Sequence, residues 1–162
     1  MITIIRQKKR MLLSILLLFV QLTRLTAIIP YDGIIHRSSD GSSYAFLDPP
    51  KTGNHAASIV ELTPSGLLAV AWFIGGEGQP NCSIAVSLLE RDGQQFTAGV
   101  IVSEQINYAN QNPVLFWDNQ TQILHLYHTS YPTKHDDIPP GMWHLYSADR
   151  GKYILQIYTH HF

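Results

Sequence analysis

The sequence predicts an all-β fold, a β-propeller assembled from four-stranded antiparallel units. Three observations carry that expectation. No stretch after residue 27 keeps a sustained 3.6-residue period with caps, so helices are not expected there. Short runs rich in Val, Ile, Leu, Tyr and Trp alternate with turn residues at regular spacing. The pattern of four runs then starts again at an offset of roughly 56 residues, with Leu68 matching Leu124 and Trp72 matching His128. Repeated four-stranded units are how a propeller limits its free edges. A β-sandwich of eight strands is the alternative that the same strand count allows.

The first unit opens with a strand over Ser58–Leu62. Thr63-Pro64-Ser65-Gly66 is a turn in which Pro sets φ and Gly accepts a positive φ. Leu67–Phe73 is apolar on both faces, as a central buried strand requires. Ile74–Asn81 is a Gly-rich loop, Ser83–Leu89 a strand, Arg91-Asp92-Gly93 a hairpin turn and Phe96–Val102 the fourth strand. In the second unit Asn112–Phe116 is a strand whose entry is fixed by Asn112-Pro113. Ile123–Thr129 puts Leu124, Leu126 and His128 on one face and His125, Tyr127 and Thr129 on the other. Trp143–Ser147 and Tyr153–Tyr158 complete it, with a turn at Asp149-Arg150-Gly151.

Residues 1–27 stand apart. Arg6, Lys8, Lys9 and Arg10 precede the apolar run Met11–Leu22, and Ala27 is the small residue of a cleavage site, the pattern of a secretory signal peptide. The run of about a dozen residues is short of the roughly 20 that span a bilayer. Secretion is therefore expected, with a signal-anchored membrane protein as the alternative. The whole chain of 162 residues has a net charge of −1. The leader holds five of the eleven bases and none of the twelve acids, so the remainder carries about −6. That charge excludes nucleic acid as an expected partner. In a secreted eukaryotic chain Asn81-Cys82-Ser83 and Asn119-Gln120-Thr121 are glycosylation sequons, which makes Asn81 and Asn119 acceptors. Cys82 is the single cysteine, either a small buried residue or a thiol able to pair with another chain.

No phosphate-binding loop, dinucleotide glycine motif or Gly-x-Ser-x-Gly is present. No cofactor is expected. No metal set is expected either. His125 and His128 lie on opposite faces of one strand, His160-His161 read as a tail over 159–162, and His135 with Asp136-Asp137 lacks ligand spacing.

Two groups of motifs carry a family resemblance. Ser147-Ala148-Asp149-Arg150-Gly151 opens the Asp-box pattern S-x-D-x-G-x-T-W, in which the carboxylate and hydroxyl tie a turn and Gly takes a conformation that others avoid. Tyr153 and Ile154 stand where that pattern has Thr and Trp. Upstream, His55-Ala56-Ala57-Ser58-Ile59-Val60-Glu61-Leu62 is followed by Gly66-Leu67-Leu68-Ala69-Val70-Ala71-Trp72-Phe73 and Gly75-Gly76-Glu77-Gly78-Gln79-Pro80-Asn81. Asn112-Pro113-Val114-Leu115-Phe116 and Leu124-His125-Leu126-Tyr127 come later. In this order the motifs resemble the N-terminal part of the sialidase (neuraminidase) superfamily, in its Asp-box (BNR) repeat branch, over about residues 54–154.

The resemblance implies a six-bladed propeller that releases terminal sialic acid from glycans. The family uses a tyrosine nucleophile with a glutamate, an aspartate acid/base and three arginines that clamp the sugar carboxylate, an exception to the two-carboxylate scheme. Where the family opens its first strand with F-R-I-P, this chain has Asn54-His55-Ala56-Ala57, and His55 offers a substrate hydrogen bond but no arginine fork. Asn81 replaces the acid/base aspartate and is left as a substrate-binding candidate. Glu77 is then the acid/base candidate of that loop. Ser147, Asp149 and Gly151 are structural, and Arg91 and Arg150 fall in outer turns.

The expected organisation is a lead-in over 28–53 and a partial propeller over 54–158, with blades at about 55–103 and 110–158. At roughly 56 residues per blade this is an incomplete propeller, two blades of an expected six. Two functions stay open: a sialidase-type glycoside hydrolase in truncated form, or a non-catalytic propeller piece that binds glycan or protein. Sialylated glycans are the implied partner, and open blade edges favour self-association.

Overall fold

A computed structural model describes residues 30–134 and 141–149, together with the backbone of 156–160. The chain divides into two compact units, Met1–Pro30 and Tyr31–Phe162, and all of the described strands belong to the second. The leader expected over 1–27 lies outside the described residues, as do Arg150, Gly151, Tyr153, His135 and Asp136-Asp137.

The described residues are all β, without a helix. Two short strands, β1 (Ile35–Arg37) and β2 (Ser43–Ala45), form a hairpin. Two four-stranded antiparallel sheets come after it. The first runs in the order β3 (His55–Leu62), β4 (Leu67–Ile74), β5 (Ser83–Leu89) and β6 (Val100–Ser103). The second is β7 (Tyr108–Asp118), β8 (Ile123–Pro132), β9 (Gly141–Ser147) and β10 (Gln156–His160). Each sheet is a meander in which sequence neighbours pair, so local turns fix the register.

Four sequence expectations shift. The last strand, β10, runs to His160, so Thr159 and His160, expected in the tail over 159–162, pair with Trp143 and Met142. The lead-in contains the β1–β2 hairpin, whose three-residue strands are too short to show a period. The fourth strand begins at Val100 rather than Phe96, because residues 95–97 turn aside. Gln95 bridges Ile34, and the Phe96 N–H donates to Gly33 O at 2.9 Å. Asn112-Pro113 does not open a strand but sits inside β7, at a bulge between Gln111 and Val114. Asn112 takes a φ of 53° there, and a bulge in an outer strand is where a residue without an N–H is tolerated.

Alternation decides which faces are buried. On β4, Leu67, Ala69, Ala71 and Phe73 point to one side, and with Ile84 and Val86 of β5 they pack against Leu115, Trp117, Leu124, Leu126 and Leu145 of the second sheet. Val70, Trp72 and Ile74 point the other way, with Ala85, beneath Leu47 and Phe96 of flanking segments. In the second sheet the face opposite the core carries Val114, Phe116, His125, Tyr127, Met142 and His144, and Phe116 is 55% exposed. Under the 56-residue offset, Leu124 and Leu126 correspond to Leu68 and Val70. Unlike faces therefore meet: the odd-numbered face of β4 receives the face of β8 equivalent to the even-numbered face of β4.

Candidate functional site

The loop over 75–81 leaves the end of β4 and crosses the segment that enters β3. The Gly75 N–H donates to Thr52 O at 2.9 Å and the Gly76 N–H to Gly53 O at 3.4 Å. Gly53 has a φ of 76°, and a Cβ there would stand 2.7 Å from Gly76 N. The glycines thus serve a backbone crossing, and the crossing brings His55 and the loop to the same end of the sheet.

His55 is the first residue of β3 and is exposed. Its ring lies parallel to that of Phe73, with centres 5.4 Å apart and planes at 13°. Ala56 comes next at a φ of 46°, and the register shifts between His55 and Ser58. Behind this bulge lies a cavity of about 320 Å³ whose walls include Tyr31, Leu47, Pro49, Asn54, His55 and Trp72. Trp72 donates its Nε1–H to Asn54 Oδ1 at 2.9 Å, so the indole polar edge is satisfied and its carbon face is left to the cavity.

Glu77 is exposed in the loop. It lies near enough to Tyr131 and Cys82 for its charge to raise both ionisations, after the larger effect of burial on each. Tyr131 donates its hydroxyl to Gln111 Oε1 at 2.9 Å. Cys82 is fully buried, its Sγ is 3.1 Å from Asn110 O, and burial pushes its thiol up, which makes it an inert packing residue.

Asn81 holds the junction between the sheets. Its N–H donates to Tyr108 O at 3.0 Å, and its Oδ1 accepts from the Asn107 N–H at 3.2 Å. Its φ of 66° is one that Asn tolerates better than most residues. Beside it, Lys51 is ion-paired with Glu104 and also donates to Ser83 Oγ at 3.1 Å. The Lys51 hydrogen bond is the main cause holding the Glu104 carboxyl below its ordinary range. Arg91 packs on Gly66 at the far end of the sheet, and Arg37 lies on β1, next to the Ile35–Asp32 stretch that bonds Gln94 and Gln95. Neither of these arginines reaches the loop end.

The Asp-box candidates are also at the far end. Ser147 pairs with Leu124 in the ladder, and its hydroxyl donates to Asp149 Oδ1. Asn119 occupies the exposed turn between β7 and β8, where its Oδ1 accepts from Thr63 Oγ1 at 3.4 Å.

Sequence reasoning missed a buried polar tract near the loop end. Asn110 and Ser130 face each other across β7 and β8, and His128 lies two residues before Ser130. All three are at most 2% exposed. Both side-chain polar atoms of Asn110, the Ser130 hydroxyl and His128 Nε2 have no hydrogen-bond partner among the described residues. Burial lowers the His128 pKa to about 4, so its ring is neutral at pH 7. The signal was present in the sequence, because His128 and Ser130 extend the inward row begun by Leu124 and Leu126.

Among the described residues no three His, Cys, Asp or Glu side chains converge on a metal-sized point, and no helix is long and apolar enough to cross a membrane. No protein-family model matches the sequence, and no curated protein matches it.

Proposed function

We propose that the two sheets are consecutive blades of a sialidase-type propeller and that their loop-bearing end binds carbohydrate without hydrolysing it. The observation that carries the architecture is the meeting of unlike faces. Blades stacked around an axis repeat by rotation, so each presents one face forward and the other back. A sandwich built from two copies of one unit instead tends to turn like faces inward.

The end that bears His55, Glu77 and Asn81 supports the glycan reading. A cavity walled by Tyr31, Trp72 and His55 offers flat, partly apolar surfaces beside a polar loop, and sugar rings present C–H faces of that kind. Binding rather than cleavage is favoured by the cations. Lys51 is engaged by Glu104, Arg37 and Arg91 are placed away from the loop, and Lys134, next to the Thr133 that bonds Asn107, is a lysine without the arginine fork, so the arginine clamp expected of a sialidase has no described counterpart there. Asn81 spends its side-chain oxygen on Asn107. If the N-terminal segment acts as a secretory leader, the ligands are extracellular glycans, with sialylated ones first.

The test pairs saturation-transfer NMR using 3′-sialyllactose and lactose with a fluorogenic sialoside assay. Binding that weakens in His55→Ala and Tyr31→Ala, without turnover, is the expected result. Absence of binding to either sugar sinks the carbohydrate reading. Turnover abolished by Glu77→Gln replaces it with the hydrolase reading.

A further inference from the structure

The second sheet brings together two histidines that lie 19 residues apart in sequence. His125 of β8 and His144 of β9 are diagonal neighbours on its outer face, with His125 opposite Tyr146 and Tyr127 opposite His144. His125 Nδ1 is 2.8 Å from His144 Nε2. The ring centres are 5.0 Å apart with planes at 22°. That centre-to-centre distance is about the nitrogen gap plus the two ring radii. The rings therefore meet edge to edge, nearly coplanar, with their nitrogens aimed at each other rather than stacked.

We propose that His125 and His144 form a binding site for a divalent transition-metal ion, held by His125 Nδ1 and His144 Nε2 and completed by water. Imidazole nitrogens are preferred ligands of Cu²⁺, Ni²⁺ and Zn²⁺, and Cu²⁺ binds most tightly in that series. With metal–nitrogen bonds of about 2.0–2.1 Å, two tetrahedral ligands stand about 3.4 Å apart. The rings need to part by roughly half an ångström from their present contact and each to turn by about 35° in its own plane, so that its lone pair points at the metal rather than at the other nitrogen. In the metal-free pair one proton lies between the two nitrogens. On binding, the ring that carries it passes it through water to its other nitrogen, so both ligand nitrogens become lone-pair donors and no charge is lost.

The surroundings hold the rings in place. Tyr127 stacks on His144 with centres 4.4 Å apart and planes at 7°, and Phe116 flanks His125 at 5.9 Å. Both histidines are half-buried, so water and a metal ion reach them. Asp118 lies within electrostatic reach of His125 and adds negative charge beside the site. The site does not depend on the glycan reading and lies on a different surface from the cavity at His55.

The experiment is calorimetric titration of the full chain with Cu²⁺, Ni²⁺ and Zn²⁺ as the free ions, with electron paramagnetic resonance of the Cu²⁺ form. One Cu²⁺ bound more tightly than Ni²⁺ or Zn²⁺, with a two-nitrogen signature, is expected. Changing outer-shell partners alone weakens metal sites about 10–100-fold, so loss of a ligand in His125→Asn or His144→Asn should weaken binding by at least about 10-fold. The double variant His160→Asn/His161→Asn should leave that binding unchanged. Binding that survives both ligand substitutions, or that disappears only with the His160/His161 variant, overturns the proposal. Should either ligand variant misfold by circular dichroism, paramagnetic broadening in the unaltered chain decides. Substoichiometric Cu²⁺ must broaden His125 and His144 first, and broadening confined to other histidines overturns the site.

Discussion

At the scale of single residues, His128 is the most consequential side chain in the core. It is 2% exposed, its Nδ1 is 3.0 Å from Thr129 O, and its Nε2 has no hydrogen-bond partner among the described residues. Burial holds its pKa at about 4, below the ordinary 6.5. The unfolded chain therefore takes up a proton at this ring before the folded one does. The stability linked to His128 is fully present above about pH 6.5 and is lost progressively as pH falls toward 4. At about 1.4 kcal/mol per pH unit of displacement, the loss reaches about 3 kcal/mol at most. The lowered carboxylates Glu104, Asp118 and Asp40 act lower still, beginning below their ordinary values of 4.5, 3.8 and 3.8. Melting temperatures measured between pH 7 and 4.5 should fall for the unaltered protein and stay nearly level for His128→Leu, which continues the Leu124–Leu126 row. Equal slopes in the two proteins would assign the acid sensitivity to other groups.

At the scale of elements, the crossing of the β3 entry with the loop over 75–81 is the joint that positions the candidate site. Gly53→Ala places a methyl 2.7 Å from the backbone nitrogen of Gly76 at a φ of 76°. Gly41→Ala meets the φ penalty alone, because its φ is 87° and nothing lies within 4 Å. Chemical denaturation should show about 1–3 kcal/mol lost for Gly53→Ala and about 1 kcal/mol or less for Gly41→Ala. Similar losses in both would mean that the crossing is not tight. The same elements explain what was legible in the sequence. β4 is a continuous apolar run and β5 one interrupted only by Ser87, both bounded by Gly-containing turns, and Leu67–Ile74 and Ser83–Leu89 fall where those runs lie. The β1–β2 hairpin escaped because three-residue strands carry no period. The bulge at Asn112-Pro113 escaped because Pro signals a strand start and an outer-strand bulge alike. The Asn81 contact with Asn107 and the His125–His144 pair depend on register between segments, and one strand's alternation holds no information about its neighbour's register.

At the scale of the whole described structure, unlike faces in contact leave the outer face of the second sheet as the counterpart of a surface that is covered in the first. Ala69 and Ala71 face the second sheet, and their equivalents under the 56-residue offset, His125 and Tyr127, face outward beside Val114 and Phe116. Val114 and Phe116 are 57% and 55% exposed, whereas Trp117, the next residue along β7, is 9% exposed in the core and donates its Nε1–H to Thr63 O at 3.0 Å. Val114 and Phe116 give this face an exposed apolar edge beside the histidine pair, and such an edge favours association. The face of β4 that would receive it in a second copy is covered by Leu47 and Phe96, so the contact left is between two outer faces, and such a like-to-like contact closes as a dimer. The full chain should therefore form a concentration-dependent dimer in sedimentation velocity. Phe116→Lys should shift that distribution toward the monomer while changing folding stability by no more than about 0.5 kcal/mol, as surface substitutions do. Trp117→Ala should lose about 3–5 kcal/mol, because it removes a large core side chain. A monomeric unaltered chain, or a Phe116→Lys variant as destabilised as Trp117→Ala, would mean that the outer face is not an association surface and that its aromatic row serves the fold itself.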